Sequence, residues 1–125
     1  MDLIEKIYEE HLVKFGEQTR EETYLRMCEE IKELQEARLK QFQCDSQENR
    51  LKVKFEEADV IITAIRLYKE YDDLSAWLIL DLLYNYETAK YVQEKWEIVK
   101  KRKYVKDSRG LQQHVKENEH EVQIL

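Results

Sequence analysis

The chain has no proline and only two glycines, Gly16 and Gly110, in 125 residues. With so few helix breakers and a surplus of Glu, Lys, Leu, Gln and Arg, helices can run long and uninterrupted. An all-α fold follows, a bundle of four or five helices. Cysteine is nearly absent: Cys28 and Cys44 lack CxxC spacing, and neither has a histidine close by in sequence. Nucleophilic thiol chemistry therefore has no partner to activate it. No run of 18 apolar residues and no secretory h-region occur, so a reduced, cytoplasmic location without a membrane span is expected. An excess of basic charge is missing as well. The formal net charge of −6 argues against binding a nucleic acid polymer, and a phosphate ligand is expected to arrive with a cation.

What is present suits one domain with a real core, since 42% of the residues are hydrophobic. Leu3, Ile4, Ile7, Tyr8, Leu12 and Phe15 recur at helical spacing over residues 2–14, with Gly16 available as a left-handed cap. Thr19-Arg20-Glu21-Glu22 has the form of a capping box, predicting a second helix that runs to about Phe42. Its apolar stripe is read as Tyr24, Leu25, Cys28, Ile31 and Phe42. After the polar turn at residues 44–49, a third helix over residues 48–71 is apolar around most of its circumference and should be central. Asp72-Asp73 can cap the next start, and residues 74–103 read as one helix or as two broken near Tyr84-Asn85-Tyr86. The helical domain is placed at residues 1–105, and residues 106–125 are read as a polar tail or oligomer arm.

The features that carry chemistry are two carboxylate clusters on neighbouring helices. Glu29-Glu30-Ile31-Lys32-Glu33 is followed, after 22 residues, by Glu56-Glu57-Ala58-Asp59 at the head of the most apolar stretch of the chain. Residues three or four apart share a helix face, so Glu30 with Glu33 and Glu56 with Asp59 form local pairs. If the two helices are antiparallel, the pairs can meet. Carboxylates so close repel unless a cation offsets them, and hard oxygen ligands suit magnesium, or manganese in its place. Magnesium commonly shares substrate phosphates, which points to nucleotide chemistry.

With its ExxE pair, spacer and ExxD pair heading an apolar helix, the chain resembles the MazG family of all-α nucleoside triphosphate pyrophosphohydrolases. Glu29-Glu30-Ile31-Lys32-Glu33-Leu34 is similar to that family's EExxEL signature and Glu56-Glu57-Ala58-Asp59 to its EExxD helix. A weaker likeness lies in residues 95–102, where Lys101 stands at the place of a frequent family asparagine. The resemblance implies magnesium-dependent hydrolysis of a nucleoside triphosphate to a monophosphate and pyrophosphate. It implies that Glu30, Glu33, Glu56 and Asp59 hold metal and that Glu29 orients or deprotonates the attacking water. Lys95 and Arg102 would neutralise phosphate charge, and the assembly would be a homodimer or homotetramer. Tyr8, Phe15, Tyr24, Trp77 and several later tyrosines are candidates to stack on the base.

Plainer readings stand beside these. Charge runs on helices are usually solvated faces, and Asp59 could be a buried acid paired with Arg66. The run Lys100-Lys101-Arg102-Lys103 could simply complement a helix C-terminus. Glu117 and His120 show ExxH spacing, but a di-iron centre needs two such pairs on core helices. The rival to an enzyme is a noncatalytic helical interaction protein; a rival enzyme would release orthophosphate instead.

Overall fold

The structure, a computed structural model, describes residues 2–115. Five helices occur among the described residues: α1 (Leu3–Phe15), α2 (Arg20–Gln43), α3 (Gln47–Tyr71), α4 (Leu74–Leu83) and α5 (Tyr86–Lys101). Each begins on a side chain that accepts a bond from an otherwise unpartnered backbone N–H. Asp2, Thr19, Ser46, Asp73 and Asn85 fill that position in turn. At Thr19 the expected capping box is only half formed: its hydroxyl accepts from the Glu22 N–H, but the Glu22 carboxylate lies against Gly110. The complete box stands at Asn85 and Thr88, where each side chain accepts from the other's N–H at 2.9 Å.

That box explains the break left open in sequence. Residues 74–103 form two helices, because Asn85 offers a better start for α5 than Tyr84 offers a continuation of α4. Gly16, at φ 68, ends α1 in a conformation glycine adopts freely. Asp72 takes the left-handed conformation, φ 49 and ψ 41, at the corner between α3 and α4.

Helix α3 is the axis, as its girth of apolar residues requires. On one side Ile61, Ile62 and Ile65 pack with Ile7 of α1 and Val92, Trp96 and Val99 of α5. On the other, Ala64 and Leu67 pack with Met27 of α2 and Ala76 of α4. Each large aliphatic group so buried contributes roughly 2 kcal/mol. One chain thus covers α3 by itself, so the breadth of its apolar face does not demand a second subunit. Helix α2 turns inward through Thr23, Met27, Glu30 and Ala37. The stripe read from sequence is corrected accordingly: Tyr24, Leu25, Cys28 and Phe42 are exposed. The inward face includes an acid because Arg26, one turn before Glu30, reaches it at 2.5 Å.

After α5 the chain forms a feature that the sequence reading does not contain. Strands β1 (Tyr104–Lys106) and β2 (Gln112–His114) pair antiparallel, with Tyr104 opposite His114 and Lys106 opposite Gln112. Asp107 builds the turn, accepting from the N–H groups of Arg109 and Leu111, and Gly110 sits at φ 82. Leu111 is buried, which fixes the hairpin to the helices. The tail or arm expected from Lys106 onward is therefore, up to Val115, part of a hairpin; the remainder, with Glu117 and His120, lies outside the described residues. No described helix is long and apolar enough to cross a membrane.

Candidate functional site

A cavity of about 420 Å³ opens between α2, α3, α5, the end of α1 and the hairpin. Its acidic wall is built by the two sequence clusters. Oxygens of Glu30, Glu33 and Glu56 lie within 4.8 Å of one another, close enough for one cation to touch all three. Asp59 lines the same cavity one turn beyond Glu56, and its carboxylate receives Lys95 of α5 at 3.3 Å. Thr63, next along this strip, also lines the cavity; its hydroxyl donates back to the Asp59 and Val60 carbonyls.

The electrostatics of this wall are far from those of a solvated helix face. Burial pushes the Glu30 carboxyl up to about 9, overcoming Arg26, with Asp59 and Glu33 adding repulsion. Burial also raises Asp59 to about 6, against the pull of Lys95 and with repulsion from Glu56. Glu56 is buried and meets Lys52 at 2.8 Å. One oxygen of each buried glutamate, Glu30 Oε2 and Glu56 Oε2, has no hydrogen-bond partner among the described residues. Buried polar atoms are ordinarily satisfied. A small hard cation fits this donor set, since it is composed of carboxylate oxygens and leaves two of them open.

The basic groups expected from sequence face the acids across the cavity. Lys95 and Arg102 both line it, and Arg102 lies 3.2 Å from Nδ1 of His114 on β2. Of the other cations of the terminal run, Lys100 is used elsewhere, pairing with Glu10 and Glu97, while Lys14 of α1 closes the end of α5 by donating to the Lys100 and Arg102 carbonyls. Arg66 does not approach Asp59. It is buried, with Nε 3.0 Å from Glu70, Nη1 3.2 Å from His11 Nδ1 and Nη2 donating to the Gly16 carbonyl.

Glu29 stands apart from the other sequence candidates. It does not line the cavity; its carboxylate takes Arg26 at 2.9 Å, Arg109 from the hairpin turn, and the Gln113 amide at 3.4 Å. Partial burial raises this carboxyl, but Arg109 and Gln113 outweigh it and hold Glu29 below the usual range. An acid so engaged anchors the hairpin to α2. Of the aromatic candidates, Phe15 lines the cavity, whereas Tyr8, Tyr24 and Trp77 do not. The hairpin brings Tyr104, one of the later tyrosines, to the same cavity, together with Gln112 and His114, which sequence reasoning missed. Sequence reasoning also missed His11, a neutral group: burial and the neighbouring Arg66 charge lower it to about 3. Comparison of the chain with protein-family models, with curated proteins and with solved structures gives no match.

Proposed function

We propose that this chain is a MazG-like, divalent-cation-dependent pyrophosphohydrolase that cleaves nucleoside triphosphates to a monophosphate and pyrophosphate. One observation carries the reading: two buried glutamates from different helices, each with an open oxygen, converge in a cavity whose facing wall is basic. Magnesium, or manganese in its place, would bind the Glu30, Glu33 and Glu56 carboxylates, neutralise phosphate charge and polarise the phosphate oxygens. Asp59 completes the acidic wall and, through its ion pair, aims the Lys95 ammonium at the cavity. Lys95 and Arg102 stabilise the charge that gathers on the departing pyrophosphate. Glu29 serves this reading by position, tethering the hairpin beside Glu30.

The same reading includes a homodimer or homotetramer. Its support is α4, where Leu74, Trp77, Leu78 and Leu82 are exposed together on a short apolar helix. Light scattering on the purified protein reads the assembly directly.

The activity is tested with purified protein, a panel of nucleoside triphosphates and magnesium, following pyrophosphate by chromatography. Pyrophosphate release that falls at least 100-fold in Glu56→Gln supports the proposal, on the scale that one transition-state contact contributes. Orthophosphate as the product moves the reaction to a phosphatase. No release with any triphosphate, from folded protein, leaves the noncatalytic interaction protein.

A further inference from the structure

Resting on the nucleotide reading above, we infer that the hairpin end of the cavity is the base-recognition subsite and that Gln112 and Gln18 are its selectivity residues. The cavity has two chemically distinct ends. Every carboxylate lining it comes from α2 or α3. The opposite end, formed by the close of α1 and by the hairpin, offers flat rings and amides instead.

The local geometry follows from strand alternation, which sends residues two apart to the same face. Gln112, Gln113 and His114 all border the cavity, but the Gln113 amide is taken by Glu29 and Asp107, which leaves Gln112 and His114 together on the other face of β2. Tyr104 stands opposite His114 in the register, and the two rings meet edge to face at 6.3 Å. Tyr104 in turn packs against Phe15, at 4.8 Å and 85°. These rings form an aromatic corner of the kind that holds a planar ligand.

The polar groups beside that corner are of one chemical type. The side-chain amides of Gln18 and Gln112 make no hydrogen bond to any other described residue. The Gln18 backbone is nonetheless fixed, because its carbonyl accepts from the Tyr71 hydroxyl at 2.7 Å. An amide presents a donor and an acceptor side by side, which matches the edge of a nucleobase. It has little to offer a phosphate beyond a neutral donor. Arg102 lies between the two ends, so a nucleotide can set its phosphates toward Lys95 and the acids while its base enters the corner.

The test is equilibrium binding, by calorimetry, of the nucleoside monophosphates and of inorganic tripolyphosphate in magnesium. The wild type, Gln112→Ala and Gln18→Ala are compared. Monophosphates are expected to bind with a clear ranking by base. Loss of one neutral hydrogen bond should narrow that ranking roughly 3- to 10-fold in each variant, with tripolyphosphate affinity unchanged. Retained tripolyphosphate binding also certifies a folded cavity; should Gln112→Ala lose it, Gln18→Ala decides alone. A ranking unchanged in the variants, or a wild type indifferent to the base, overturns the inference. Pyrophosphate release without base ranking would sink the subsite while sparing the hydrolase, and ranked binding without release would do the reverse.

Discussion

Replacing Glu30 by glutamine should stabilise the protein near neutral pH in the absence of divalent cation. Glu30 is an acid whose folded-state value, about 9, lies above its ordinary value of 4.5. Such a group contributes nothing unfavourable below pH 4.5 and costs stability progressively as pH rises from there to about 9. Each unit is about 1.4 kcal/mol, so at pH 7 the wild type carries a penalty of roughly 3 kcal/mol. Glutamine keeps the shape and cannot ionise. For a chain of this size the gain corresponds to about 10 °C in melting temperature. Differential scanning calorimetry in chelator at pH 5, 7 and 9 reads it, with the two proteins close at pH 5 and diverging upward. Parallel melting curves across that range, or a glutamine variant less stable throughout, would refute the burial argument. Adding magnesium should close the gap from the wild-type side, since a bound cation stabilises the folded state and favours the ionised carboxylate.

Three further outcomes test the frame that holds the site. Arg66→Met should lower stability by about 3–5 kcal/mol in urea titration, because it strips partners from His11, Glu70 and the Gly16 carbonyl in a buried setting. Asn85→Ala removes half of the capping box and should cost about 1 kcal/mol, read as a drop of roughly 4 °C. Arg109→Ala, at a solvent-screened ion pair, should leave global stability nearly unchanged. It should nonetheless speed hydrogen exchange at the hairpin amides, whose tie to Glu29 is cut.

The helices were legible because their ends are written in single residues. Thr19, Gly16 and Asp73 mark boundaries that the structure observes within a residue or two. The acidic wall was legible because Glu30, Glu33, Glu56 and Asp59 sit at helical spacing on neighbouring antiparallel helices. The hairpin was not, since each strand is only three residues long, too short for alternation to show. Nothing local says that Leu111 will be buried or that Arg109 will reach Glu29. The position of Glu29 outside the cavity was hidden for the same reason: its spacing matches a signature, while its partner Arg109 comes from 80 residues later. The inward face of α2 was misplaced because apolar content alone ranks Tyr24 and Phe42 above Glu30, and only the Arg26 contact reverses that order.

Arg26, Lys52 and Lys95 each rest on a different acid of the wall, on Glu30, Glu56 and Asp59 in turn. The protein thus carries resident counter-ions of its own. Stripping a divalent ion from such a place need not unravel the helices, in contrast to small domains that a structural metal alone keeps folded. On the proposed reading, emptying and refilling would be reversible events on a standing scaffold, and the occupancy of the wall would follow the free cation concentration around it.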